Sequence, residues 1–477
     1  MTRDSGRMAC GIAATLSLVF AAAPALAQEM TSKIDGGDTA WMIAATALVL
    51  MMTIPGLALF YCGMVRKKNV LATMAQSVAC TALCSLLWFA VGYSLSFAGD
   101  APWLGTFERV FLRGIGMEAT SVFAPTIPEL LYVVYQMTFA IITVALIAGA
   151  VADRMRFSAF LWFVAGWLLF VYVPIAHWVW GGGFLASAGV LDFAGGTVVH
   201  LNAGVAGLVA AYVLGKRHGY GTDNFAPHDL SLAVIGTGLL WVGWIGFNGG
   251  SALGANARAA FAITATHLAA STGALTWMFL EWSTRGKPSV LGMITGAIAG
   301  LGAITPASGF VLPWHGVVIG LIAGAICFWA CTSLKLRLGY DDSLDVFGVH
   351  GIGGATGTLL TGVFAVAALS ASPDAPQGSP GLFEGNARQV LIQLYAVVAV
   401  LIWSGVLTYV LLKVIGLLVP LRVSEPHEIE GPTVRVRPSS SRVAHGRVRR
   451  ARWKSPEAIG ASMLRGHSIP SHLLIKN

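Results

Sequence analysis

Two histidines stand where a histidine is costly. His200 and His350 both lie inside long apolar runs of this 477-residue chain. An ionisable side chain in hydrocarbon costs about 2.5 kcal/mol or more, so it faces a partner or a cavity. The surroundings of the two are alike. The first is Asp192-Phe-Ala-Gly-Gly-Thr-Val-Val-His200-Leu-Asn202-Ala-Gly204, the second Asp345-Val-Phe-Gly-Val-His350-Gly-Ile-Gly-Gly354. Each acid stands before a predicted helix, where a carboxylate can cap free N–H groups and complement the dipole. The acids therefore read as structural. A neutral imidazole accepts a hydrogen bond at one nitrogen, donates at the other, and can pass a proton between them. Two histidines at matching positions point to a pore lining. His177 and His267 have no such counterpart and read as satisfied core residues.

The elements that must position them follow from hydropathy. Apolar runs of about 20 residues, the length that spans a bilayer, predict helices near 39–64, 70–97, 129–151, 158–177, 197–214, 231–247, 259–280, 290–307, 314–334, 346–369 and 389–420. His200 opens the fifth and His350 the tenth, 150 residues apart, which is one five-helix unit. Five is odd, so the two helices enter the membrane from opposite sides. The expected fold class is an all-α polytopic membrane protein of eleven transmembrane helices. Two five-helix halves form an inverted repeat, and a long eleventh helix follows.

Composition agrees. Hydrophobic residues make up 56% and charged residues 11%, against about 25% charged in a soluble domain. Soluble, disordered, nucleic-acid-binding and disulfide-scaffold classes are excluded. The formal charge of +8 belongs to the C-terminus: Pro432 to Asn477 holds ten Lys and Arg against Glu457 alone. At the other end, Arg3 and Arg7, a short apolar run and Ala25-Leu26-Ala27 predict a signal peptide over 1–27, cleaved before Gln28. The mature N-terminus would then lie outside. Segments predicted inside carry eleven Lys and Arg, those outside five (Lys33, Arg109, Arg113, Arg258 and Arg388), which supports that orientation and a bacterial inner membrane. The expected organisation is a transporter domain over 28–424 and a cytoplasmic basic tail over 425–477. Within the domain, the helices fall at about 39–214, 231–369 and 389–420. Cys62, Cys80, Cys84, Cys327 and Cys331 lie in predicted helices and read as small packing residues. Gly292, Gly296, Gly300, Gly316, Gly320 and Gly324, four apart on each of two helices, read as helix-packing surface. No nucleophile elbow, P-loop or metal cluster is present, so neither an enzyme nor a cofactor is expected.

Several longer motifs, in order, resemble the Amt/Mep/Rh ammonium transporters, on the bacterial Amt side. They are Pro55-Gly-Leu-Ala-Leu-Phe-Tyr-Cys-Gly63, Tyr135-Gln-Met-Thr-Phe139-Ala, Asp153-Arg-Met-Arg-Phe-Ser158, Pro174-Ile-Ala-His-Trp-Val-Trp180-Gly-Gly-Gly183, Trp244-Ile-Gly-Phe247-Asn-Gly-Gly-Ser251 and the two histidine segments. The resemblance runs from about Asp38 to Ser424. It implies that Phe139, Trp180 and Ser251 recruit ammonium at an outer site, and that Phe139 and Phe247 close the pore beneath it. It implies that His200 and His350 line the pore, that Trp244 is a further wall aromatic, and that Asp192 supports the outer site. It also implies a homotrimer with one pore per subunit. Trp162, Trp167 and Trp178 read as packing or interfacial aromatics.

The implied activity is uptake of ammonium by deprotonation, passage of ammonia, and separate proton transfer. An ammonium sensor and an Rh-like channel for neutral ammonia or carbon dioxide are the competing readings. The absence of a recognised output domain in the tail counts against the first. The Phe139/Trp180/Ser251 set counts against the second. The tail departs from the bacterial pattern from Pro432 onward, which counts against regulation by a PII-type partner.

Overall fold

The structure is a computed structural model that describes residues 33–371 and 376–430. The expected signal peptide over 1–27 and the part of the expected tail from Gly431 onward lie outside the described residues. The helices are, in order, α1 Gly36–Met64, α2 Lys67–Phe97, α3 Glu129–Val151, α4 Phe157–Ser187, α5 Gly196–Leu214 and α6 Leu230–Gly250. Then come α7 Ala257–Arg285, α8 Val290–Ile304, α9 Pro313–Leu338, α10 Ile352–Phe364, α11 Ala387–Leu418 and the short α12 Glu425–Glu430. Among the described residues, eight of these (α1–α6, α9 and α11) are long and apolar enough to cross a membrane. α8 and α10 are shorter, and α7 carries Thr264, His267, Ser271 and Thr272 along its length. The protein is a polytopic helical membrane protein. The count of eleven crossings rests on the sequence for these three. One small departure from all-α is a two-stranded antiparallel pair, β1 Thr120–Ser121 with β2 Ala124–Pro128, between α2 and α3.

The burial of each helix sorts the bundle. The apolar windows of α3 and α5 are 78% buried, whereas that of α11 is 28% buried. So α3 and α5 are central, and α11 wraps the outside. It leaves Leu391, Leu394, Val398, Leu401, Ile402 and Val406 exposed, an apolar face that only lipid or another protein satisfies. The α1 helix bends at Ile54–Pro55: proline has no N–H to give, and Ile54 leaves helical geometry (φ −131°, ψ 112°).

Where α5 and α10 meet, the backbones touch. A Cβ on Gly204 would overlap the backbone of Gly351, and one on Gly354 would lie 2.7 Å from Gly196 O and 2.9 Å from the His200 Cβ. Both glycines are required by this close approach. Trp162 is exposed, while Trp167 is buried and donates to Thr408 Oγ1 at 3.0 Å. Trp178 is buried and donates to Trp103 O at 2.8 Å. The cysteines Cys62, Cys80, Cys84 and Cys327 are buried and unpaired, and Cys331 is half-buried.

On the face that holds Arg66 and Arg154, buried charges tie the connecting segments together. Asp341 accepts from Arg217 Nη2 at 2.7 Å and Nε at 2.9 Å, and Arg154 Nη1 lies 3.8 Å from it. Asp153 takes Asn69, Arg66 (3.3 Å) and Arg217 (3.6 Å). The chain after α11 returns here: Arg156 N donates to Leu421 O at 2.8 Å, and Val423 N to Arg154 O at 3.0 Å. Burial pushes the Asp341 carboxyl up, but the hydrogen bonds and charge of Arg217, with Arg154, outweigh it and leave it below the ordinary carboxylate value.

Two expectations follow. Gly204→Val should abolish recovery of folded protein by size-exclusion chromatography, whereas Gly238→Ala, with open space at its Cβ, should be recovered as wild type. A depressed carboxyl stabilises the fold above its unfolded value of about 3.9 and loses that contribution as pH falls. The thermal midpoint of the wild type should therefore fall as pH drops below about 4, and in Arg217→Gln that part of the fall should shrink, because Arg154 alone then remains beside Asp341.

Candidate functional site

The two histidines meet. His350 Nδ1 lies 3.2 Å from His200 Nδ1. The rings are 5.2 Å apart between centroids and within 13° of coplanar. Both are buried. Each stands in a π-turn that opens its helix, Gly196–Leu201 before the rest of α5 and Phe347–Gly351 before α10. Such turns frequently occur at functional positions in helices.

The contact constrains the protons. Two facing ring nitrogens at hydrogen-bond distance share one hydrogen: one Nδ1 donates and the other accepts. In the neutral pair one Nε2 then carries a hydrogen and the other a lone pair. One end of the pair donates and the other accepts, and these roles exchange when the shared hydrogen moves from one Nδ1 to the other while one Nε2 gains a proton and the other Nε2 releases one. His200 Nε2 is buried and, among the described residues, has no hydrogen-bond partner.

Aromatic rings stack on the His200 side. Trp244 lies 5.5 Å from His200 and within 20° of parallel, fixed by its Nε1 donating to Thr305 Oγ1 at 2.9 Å. Phe247 lies 6.2 Å from His200 and stacks on Phe139 at 4.2 Å and 28°. Trp180 meets Phe139 edge-on at 5.7 Å and 89°. Ser251 Oγ donates to Phe247 O at 2.9 Å, so its lone pairs remain free to accept. Tyr135 also donates to Phe247 O, at 2.9 Å, and lies 3.4 Å from Ser251 Oγ.

Two cavities flank the histidines. A cavity of about 10 Å³, room for about one water-sized molecule, is lined by His200, His350, Trp244, Phe247 and apolar residues such as Leu57 and Ile142. A Cβ on Gly302 would come no nearer than 3.9 Å to either histidine ring, so there is space alongside both. Beyond His350 a vestibule of about 240 Å³ opens, lined by His350, Trp277, Glu281, Ser343 and Asp345 among others. His350 borders both spaces.

The acids divide. Asp192 caps α5: its oxygens accept from the N–H groups of Gly195 (2.8 Å), Gly196 (2.6 Å), Thr197 (2.8 Å) and Val198 (3.2 Å), and from the Thr197 hydroxyl. Its backbone carbonyl accepts from Trp180 Nε1 at 2.8 Å, which joins the aromatic mouth to the start of the His200 helix. Asp345 does not cap α10. Its carboxylate takes Lys335 Nζ at 2.6 Å, and it is the buried Asp342 that accepts from Phe347 N at 2.7 Å. The reason lies in register. Asp192 precedes His200 by eight residues, Asp342 precedes His350 by eight, and Asp345 precedes it by five. Applying the 150-residue spacing to Asp192 names Asp342. Asp345 instead corresponds to Gly195, and both have positive φ, 58° and 114°.

Two other histidines differ from one another. His177 is buried, with its ring nitrogens 3.0 Å from Ser96 O and 2.5 Å from Ala101 O, a structural tie. His267 is not a core residue. It is exposed on α7, with one side against Trp241 at 5.5 Å. The sequence reading placed it in the core because its helix is apolar, but periodicity puts it on the outer face.

So the structure brings Phe139, Phe247, Trp180, Ser251, His200, His350, Trp244 and Asp192 into one column and sets Asp345 in the vestibule at its far end. Residues 40–435 match the model of the Ammonium Transporter Family. An ammonium transporter of Aquifex aeolicus is 48% identical over 418 residues, covering 87% of this chain and 96% of that relative. The crystal structure of Saccharomyces cerevisiae Mep2 superposes with a TM-score of 0.76 at 39% identity, covering 83% of this chain and 90% of that one. A structure described as a Sensor Amt Protein gives a TM-score of 0.76 at 28% identity over 83% of this chain and 97% of its own. The chain belongs to the ammonium transporter family, whose relatives are transporters and not enzymes.

Proposed function

We propose that the column conducts ammonium by separating it into ammonia and a proton. The cation is drawn to the face of Trp180 and the hydroxyl oxygen of Ser251, with Phe139 beneath. A cation–π contact contributes about 0.5–2 kcal/mol. That attracts the ion but does not offset its dehydration in an apolar passage. Release of the proton removes most of that cost. Ammonia then passes the Phe139/Phe247 stack and moves along His200 and His350, which give it an acceptor and a donor in turn. The proton crosses by exchange through the imidazole pair. Potassium has no proton to release, so this step discriminates against it. The observation that carries the reading is the 3.2 Å contact of two imidazole nitrogens beside a cavity with room for one small molecule.

In this reading the Trp180/Ser251 mouth faces outward, the basic connecting segments face the cytoplasm, and the membrane is the bacterial inner one. The subunit acts within a homotrimer. Its α7 exposes Thr264 and His267, polar groups that are costly against lipid and that a neighbouring copy would cover. The likeness to a Sensor Amt Protein keeps a sensor as the second reading.

Solid-supported-membrane electrophysiology on proteoliposomes separates the readings. An ammonium pulse should give a saturable inward current, and an equal potassium pulse should give none. Electrically silent ammonia flux would replace this reading with a neutral channel, and neither flux nor current would replace it with a sensor.

A further inference from the structure

Among the positions at which the two halves of the repeat differ, one lies at the far mouth of the column. Gly195 occupies it in the first half and Asp345 in the second, each with positive φ. Glycine adopts that backbone freely. The second half puts a carboxylate there although the cap is already supplied by Asp342. In the first half no side chain fits at this position: a Cβ on Gly195 would lie 2.5 Å from Val199 and 3.4 Å from Trp180 of the aromatic mouth. In the second half the position belongs to the vestibule, and Asp345 and His350 line the same cavity.

The neighbouring carboxylate is already committed. Glu281, which also lines the vestibule, accepts from Ser289 N and Oγ at 2.9 and 2.7 Å and from Arg285 at 3.1 Å. Asp345 is held by one donor, Lys335 on Oδ1, and its side chain is 34% exposed. Among the described residues no donor reaches Oδ2. Lys335 Nζ is anchored a second time, by Asp342 O at 2.7 Å, so the lysine fixes the carboxylate without enclosing it.

We propose that Asp345 is the receiving group of the far mouth, where the second oxygen of its carboxylate binds the ammonium that re-forms there. This rests on the separation of ammonia and proton argued above and extends it to the exit. The chemistry balances. One N–H bond breaks at the Trp180 mouth, and one forms in the vestibule when ammonia leaving His350 regains a proton. The product is a cation, and Oδ2 of Asp345 is an uncommitted anionic oxygen in the cavity where it appears. The two mouths thus hold the same ion by different means: aromatic faces and a hydroxyl at one, a carboxylate at the other.

Asp345→Gly tests this, because it copies the first half of the repeat and suits the positive φ. The variant should be recovered in wild-type yield with an unchanged thermal midpoint. Its maximal ammonium current in proteoliposomes should fall at least about fivefold, with little change in the concentration giving half-maximal current. Asp345→Asn should show the same loss. If either variant folds and carries wild-type current while the wild type conducts ammonium, the assignment is overturned and the column mechanism stands. If the wild type itself gives no ammonium current, it is the underlying mechanism that fails. A thermal midpoint lowered in Asp345→Gly would mark the residue as structural and would also overturn the assignment.

Discussion

The structure depends on one contact, the edge-to-edge meeting of two imidazoles supplied from opposite ends of the repeat. Helix starts must approach from both sides for this to happen, and their backbones must touch. That requires Gly204 and Gly354 where any side chain would collide with the facing helix. It also requires caps at both starts, because a helix beginning inside an apolar protein leaves N–H groups without water. Asp192 and Asp342 fill that need, each eight residues ahead of its histidine. The remaining residues of the column then fall into place by stacking: Trp244 on His200, Phe247 beside it, and Phe139 on Phe247.

The dielectric setting makes the contact useful. In water, two neighbouring imidazoles would simply hydrate. Here apolar side chains and ring faces surround them, and the space beside them admits about one small molecule. A charged species is penalised there far more than a neutral one. A passage of this kind selects by whether a cation can become neutral. Size alone would not separate ammonium from potassium. In the proposed mechanism the mouths would serve this step: aromatic rings and a hydroxyl would gather the cation on one side, and on the other a wider vestibule opens.

Much of this was legible in the sequence, for physical reasons. Hydrocarbon imposes long apolar helices, so the helical membrane architecture stood out, while eight of the eleven expected spans are long and apolar enough to cross a membrane among the described residues. It also penalises ionisable groups, so two histidines in matching surroundings stood out. The stacking partners were not legible from composition, because 23 Phe and 15 Trp offer many candidates, and only the resemblance to a family selected Phe139, Phe247, Trp180 and Trp244. The α10 cap was misassigned. Asp345 is nearest to the motif, but a cap is set by register, and Asp342 occupies it. His267 was misplaced because an apolar helix was taken as buried all round, whereas α7 turns one face outward. The Lys335–Asp345 pair was not anticipated, since the nine residues between them form a turn that only the folded chain closes.

The central claim is that the paired imidazoles carry the proton apart from ammonia and thereby exclude potassium. The most direct measurement is the current of a double variant with His200 and His350 both replaced by leucine, reconstituted in proteoliposomes and pulsed in turn with ammonium and potassium. The account predicts that the selective ammonium current disappears. An ammonium current of wild-type size, with potassium still excluded, would contradict it.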